Sequence, residues 1–268
     1  MSTLIANRAD DRAKNNRYLA WAVGLFIGIA VVALLTVILP EDSVAAQVLL
    51  DRGGRFPYPF TVQNFMWLIF FSAFAELVVR IHSAGNDGRQ TRAHLLPEDD
   101  ETMLRSEDLA PFASRAREHL NSRNSFLQRL IVRVIWQFQS SLSVSQANEI
   151  LTSSTDLIQH EIDMRYNMIR YFAWFIPTLG FIGTVIGIAL ALSTAGNPPD
   201  VGDSEALREW MQALTRDLGV AFNTTLVALM LSSVLVLLMH VAQEMEELAL
   251  NKSAQYCLDN LINRLWAK

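Results

Sequence analysis

Cysteine is nearly absent: Cys257 is the only one in the chain, which rules out an internal disulfide and any multi-cysteine metal site. Charge is scarce too, at 18% of residues, where a soluble domain of this length carries about a quarter. The net charge of -5 is spread over both signs, so nothing suggests a nucleic-acid partner. There is no P-loop, no glycine-rich phosphate cradle and no Cys/His spacing that would hold a metal. No serine is paired with a histidine at membrane depth, as an intramembrane serine protease requires. No enzymatic activity and no bound cofactor are therefore expected. Proline is missing from 112 to 176, so nothing interrupts a long helical stretch there.

What the chain has is apolar residues, 51% of the total, bunched into runs. That bunching is the signature of a membrane protein rather than of a large soluble core. The fold class expected is an all-α membrane protein with four transmembrane helices, long amphipathic helices between the second and third, and a helical C-terminal tail. Residues 1–17 are polar and carry Arg8, Arg12, Lys14 and Arg17. The first span is placed at 18–40, with Tyr18 and Trp21 as interfacial anchors and Pro40 as its stop. Residues 41–59, with Glu41, Asp42, Gly53, Gly54, Pro57 and Pro59, read as an exposed connection. The second span, 60–80, holds Glu76 four residues before Arg80, a spacing that lets both snorkel and pair. A role for Glu76 in an ion path is the other reading.

From 81 to 106 the pattern breaks at Gly85, Asn86, Asp87, Gly88 and the acidic run 98–101, which suggests a solvated hinge. The region 81–167 is otherwise polar but periodic. Phe112, Ala116, Leu120, Leu127, Leu130, Ile131, Val134, Ile135, Phe138 and Leu142 keep helical spacing. One or two helices are expected, broken at Ser140-Ser141 or at 152–155. Arg115, Arg117, Arg123, Arg129 and Arg133 are read as the solvated face of such a helix. The third span is 168–194, a turn and amphipathic helix fill 195–217, the fourth span is 218–242, and a helical tail occupies 243–268. The first apolar run is too long for a cleavable signal peptide. Basic residues concentrate at the N-terminus, in 81–167 and in the tail, so positive-inside bias puts both termini and that segment in the cytoplasm.

The third run has a patterned interior. At ~100° per residue, Gly180, Gly183, Thr184, Gly187, Ala191 and Thr194 share one narrow arc, and Phe181, Ile182, Val185 and Leu192 lie outside it. Such a small-residue stripe lets another helix approach closely. The fourth run repeats the device with Ala221, Thr225, Ala228 and Ser232, flanked by Thr224, while Asn223 points elsewhere. Mutual packing or a shared wall facing something polar would each produce it. Pro177 lies inside the third run, where a kink is tolerated if a neighbour satisfies the freed carbonyl. Neither run carries an ionisable residue at depth. A proton relay there needs a titrating group from another chain.

The segment Pro177-Thr-Leu-Gly180-Phe-Ile-Gly183-Thr184-Val-Ile-Gly187 resembles the P-x-L-G-x-x-G-T-V-x-G signature of the MotA/TolQ/ExbB proton-channel family. The segment from Gly219 to Leu229 is similar to that family's second block, with Thr225 on its threonine and Ala228 where glycine is usual. The four-span layout looks more like the MotA branch than the three-helix branches. The resemblance implies a channel or stator subunit of an ion-driven motor in the bacterial inner membrane. It implies a homopentamer around two copies of a single-helix partner whose membrane Asp accepts the proton, the translocated ion being H+ or Na+. Thr184, Thr225 and Ser232 would line the ion path. Gly180, Gly183, Gly187, Ala191, Ala221 and Ala228 would form a close-packing wall, with Pro177 as a hinge. A non-conducting membrane scaffold is the rival reading, separable by whether a neighbouring gene encodes such a partner.

Overall fold

A computed structural model describes residues 2–41, 43–52, 57–91, 94–99, 103–122, 125–200 and 202–266, with side-chain surroundings given from residue 17 onward except at 119–122. Several residues used above lie outside the described ones: Asp42, Gly53, Gly54, Asp100, Glu101 and Arg123, with the side chains of Arg8, Arg12, Lys14 and Leu120. The described chain is helical. Its elements are α1 (Ser2–Ile38), α2 (Val44–Leu50), α3 (Val62–Gln90), α4 (Ala110–Ser122), α5 (Phe126–Ser141), α6 (Val144–Arg165), α7 (Asn167–Ala195), α8 (Ser204–Asn260) and a short 3₁₀ turn, Ile262–Arg264. Among the described residues the only β feature is an isolated bridge between Leu104 and Leu265.

Four helices are long and apolar enough to cross a membrane, in α1, α3, the α6–α7 stretch and α8. The protein is accordingly a multi-pass membrane protein. Contacts divide the chain into two compact units: Ala13–Leu77 with Met168–Met239, and Met1–Arg12 with Val78–Asn167 and His240–Lys268. They are called here the apolar and the polar unit.

In the apolar unit, α1 lies against α3 where the chain is thinnest. A Cβ on Gly24 would fall 2.5 Å from the Phe71 carbonyl oxygen, and one on Gly28 would fall 3.2 Å from Leu68. This is a Gly-x-x-x-Gly contact of the kind that lets membrane helices touch backbone to backbone. Trp67, Phe70, Phe71 and Phe74 stack along α3. Within the connection 41–59, residues Val44–Leu50 form a helix where an exposed loop was expected. The Ser43 hydroxyl caps α2 by accepting from the Ala46 N–H at 3.1 Å, and Ala46 and Leu50 are fully buried. Arg52 satisfies the last carbonyls of α1, donating to Thr36 and Leu39 at 2.7 and 2.9 Å.

In the polar unit, α5 supplies the core. Leu127, Leu130, Ile131, Val134, Ile135 and Phe138 are all fully buried, against Ala147, Leu151, Ile158 and Ile162 of α6. The tail closes it. Leu104 donates to the Arg264 carbonyl at 2.8 Å, and Trp266 donates to Leu104 at 3.0 Å. Three expectations fail here. Instead of one or two helices before the third span there are three, α4, α5 and α6, because the chain also breaks between Ser122 and Phe126. The stretch Gly85–Gly88 is not a hinge, because α3 runs unbroken to Gln90. Nor does the chain break at 152–155: Thr152 and Thr155 sit within α6 and donate to the carbonyls four residues back. The break after Ser140-Ser141 is real. Leu142 there takes φ 53, a left-handed cap that ends α5.

Candidate functional site

The small-residue stripe of α7 is spent on α8. Gly180, Gly183, Gly187 and Ala191 are buried, while Phe181, Ile182, Val185, Ile188 and Leu192 are exposed around the rest of the helix. A Cβ on Gly183 would fall 2.6 Å from the Thr224 side chain, and one on Gly187 would fall 2.6 Å from the Ala221 backbone nitrogen. On Gly180 it would collide with Ala228. Ala221 and Ala228 are fully buried. The structure thus brings Gly180, Gly183, Gly187, Ala221 and Ala228 together as two faces of one helix pair within the chain, and Ala191 is buried further along α7.

Hydroxyls gather at the edge of that contact. The Thr184 hydroxyl lies 3.1 Å from both the Gly180 and the Ala221 carbonyl oxygens and is hydrogen-bonded to the Thr225 hydroxyl. Thr225 reaches the same two carbonyls at 3.4 and 3.1 Å. Each hydroxyl carries one proton and several acceptors surround it, so the pair can reorient without losing a partner. Thr184 and Thr225 are half-buried. Thr224, which sequence reading left as a flank, is fully buried and donates within the same cluster at 3.0 to 3.4 Å. Two carbonyls, one per helix, are therefore ringed by three threonines. A residue's place on the helical arc could have separated Thr224 from Thr225 only once the approach of α7 was known.

Pro177 and Ser232 form the second element. Proline has no N–H, so the Ala173 carbonyl loses its partner four residues on. The Ser232 hydroxyl on α8 donates to that oxygen at 2.9 Å. Ser232 is placed here as the group that satisfies the proline break, a structural tie between the helices.

Among the described residues, three acidic side chains are buried inside the apolar unit: Asp51, which caps the end of α2, Asp217 and Glu76. Asp217, one residue before the fourth apolar run, is 2% exposed and accepts from the Thr194 hydroxyl at 2.8 Å; Trp210 donates to the Thr194 carbonyl at 2.7 Å. Sequence reading passed over Asp217 because it sits where an amphipathic segment ends. Glu76 on α3 is 3% exposed, accepts from the Trp21 indole at 2.5 Å and lies 3.5 Å from Arg17. The snorkelling expectation is thereby corrected: the Glu76 carboxylate turns inward to α1, where an indole and a guanidinium can hold it. Asn223 borders a cavity of about 910 Å³ with Asp51, Arg52, Arg208, Gln212 and Arg216.

Between Tyr171 and Pro199, and again between Leu218 and Met239, no residue ionises. The pair α7–α8 offers hydroxyl and carbonyl oxygens, hard ligands that can replace water around a small cation or hold a chain of hydrogen bonds. It has no carboxylate of its own at the threonine level. The model of the MotA/TolQ/ExbB proton channel family matches residues 118–252, half of the chain. That match spans α5 through most of α8 and includes Thr184, Thr225, Pro177 and Ser232. No curated protein and no solved structure matches the chain.

Proposed function

Since the chain belongs to the MotA/TolQ/ExbB proton channel family, we propose that it is the channel subunit of an ion-driven membrane motor, coupling proton or sodium flow to mechanical work. The observation that carries this reading is the Thr184–Thr225 pair on two opposed carbonyls, in a helix pair without a titrating group at that level. A hydroxyl wall cannot accept and release a proton near neutral pH by itself. The carboxyl comes from the single membrane helix of a partner, present in two copies inside a pentamer of this chain. The exposed apolar faces of α7 and α8 serve neighbouring subunits, the partner and lipid.

In this reading the chain sits in the bacterial inner membrane with both termini and residues 81–167 in the cytoplasm, as the distribution of basic residues supports. The Gly and Ala stripes bind α7 to α8, and the threonines at their edge face the path. Pro177 gives α7 a place to flex. Ser232 keeps that place closed when no load acts.

The test uses the full chain co-purified with its single-helix partner. Native mass should give five copies to two, and proteoliposomes should conduct protons or sodium only when the partner keeps its membrane Asp. Another stoichiometry, or flux that ignores the partner's Asp, overturns the reading.

A further inference from the structure

The cavity of about 910 Å³ lies wholly within the apolar unit and has two walls of opposite charge. One wall is a side of α8, where Arg208, Gln212, Arg216 and Asn223 recur at helical spacing. At 1.5 Å per residue the two arginines stand about 12 Å apart along the axis. Both are exposed, and neither makes an ion pair or hydrogen bond among the described residues. The other wall is the end of α2 and the chain after it. Asp51 lines the cavity from the C-cap of α2 and is 5% exposed. Its carboxylate has no hydrogen-bond partner among the described residues, and a buried carboxylate is costly until something pairs with it. Arg52 is already committed. It donates to the Thr36 and Leu39 carbonyls and to the Glu41 carboxylate, at 2.7, 2.9 and 2.7 Å, and lies 5.6 Å over the Tyr58 ring. Two open guanidiniums therefore face the cavity from one wall and one buried carboxylate from the other.

The cavity also bridges two environments. Arg208 and Gln212 belong to the amphipathic segment before the fourth apolar run, whereas Gly219, Val220 and Asn223 lie within that run. A Cβ on Gly219 would meet nothing within 4 Å, so open room continues down to that level. Charge above and hydrocarbon below is the setting of a lipid head-group layer.

We propose that this cavity binds a phospholipid whose head group carries a phosphate and a primary ammonium, the phosphate held by Arg208 and Arg216 and the ammonium by Asp51. Guanidinium forks match phosphate oxygens, and an ammonium brings N–H donors to the buried carboxylate. A head group that is only anionic leaves Asp51 unpaired. A trimethylated amine has no N–H to give it. The amides of Gln212 and Asn223 suit the ester and glycerol oxygens between the charges, and the acyl chains leave past Val220 into the bilayer. The site stands apart from the threonine pair, so the channel reading can fail without it.

The test is native mass spectrometry of the full chain released from nanodiscs of equal parts phosphatidylethanolamine, phosphatidylglycerol and phosphatidylcholine. The chain should retain phosphatidylethanolamine at least about tenfold over the other two. Arg208→Gln with Arg216→Gln should cut the retained lipid by about tenfold or more, and both side chains are exposed, so the fold is spared. Asp51→Asn keeps a residue that accepts the left-handed cap. It should abolish the preference for phosphatidylethanolamine over phosphatidylglycerol while lipid is still retained. Gly219→Phe enters open space and should displace the lipid from a chain that still folds. Lys252→Gln, outside the cavity, should change nothing. Soluble phosphoethanolamine, which lacks acyl chains, should compete only at large excess. Equal retention of the three lipids, retention indifferent to the arginine pair, or an unchanged preference in Asp51→Asn overturns the site. Displacement by phosphoethanolamine at matched concentration overturns the lipid and assigns the cavity to a soluble zwitterion.

Discussion

The apolar unit contains two glycine-smoothed helix pairs, α1–α3 and α7–α8, and they differ in what stands beside the glycines. Gly24 and Gly28 meet Phe71, Ser72, Ala75 and Leu68, a surface of backbone, rings and methyls. Its polar content is displaced to one end, as the Glu76, Trp21 and Arg17 cluster. Gly180, Gly183 and Gly187 meet Ala228, Thr224 and Ala221, with hydroxyls threaded along the contact itself. Close approach is common to both pairs, so glycine alone marks packing. Oxygen-rich lining belongs to one pair, and that is where function is sought.

Breaking the close approach should have the largest effect, and equally in both pairs. Gly24→Leu and Gly187→Leu each drive a side chain into backbone and should cost more than about 4 kcal/mol, abolishing a folded species in size-exclusion profiles. Gly219→Leu is the control, because a side chain there meets open space. The pairs then separate on their polar groups. Glu76→Ala leaves Arg17 and Trp21 without their buried acceptor in α1–α3 and should lower stability by about 3 kcal/mol in thermal unfolding. Ser232→Ala, in α7–α8, frees the Ala173 carbonyl and should cost about 1 kcal/mol. In a Pro177→Ala background, where the backbone supplies its own N–H, the same change should cost almost nothing. A full penalty in both backgrounds would remove the assigned tie. The smallest effect concerns the connection before α3. Burial pushes Asp51 up to about 6, so amide protection across α2 should be greatest in acid and decline as pH rises through that value.

Much of this was legible in the sequence, for reasons that differ by element. The spans are visible because twenty-odd apolar residues have few other uses. The stripes on α7 and α8 are visible because small residues recur at helical spacing. What they face is not, since one stripe against a second helix of the same chain and one against a partner read alike. Gly85 and Gly88 suggested a hinge, yet α3 continues because Arg80 and Gln90 anchor it in the polar unit, Gln90 accepting from Gln128 at 3.3 Å. Local propensity yields there to tertiary contact. The threonines at 152 and 155 stay helical by bonding their own backbone. Gly24 and Gly28 stand one turn apart, a pattern open to reading, but their partner on α3 is set by packing rather than by sequence distance. Thr224 and Asp217 were passed over because burial, which makes them matter, is a property of the fold.

The central claim is that the Thr184 and Thr225 hydroxyls serve the ion path and not only the packing of α7 on α8. The direct measurement is ion flux through proteoliposomes carrying the full chain and its partner, with Thr184→Val and Thr225→Val singly and together, and with assembly scored by native mass. The account predicts intact assembly, a reduced flux in each single variant, and a loss of at least about tenfold in the double, equivalent to roughly 1.4 kcal/mol on the barrier. Normal assembly with normal flux in the double variant would contradict it, and would return the threonines to packing.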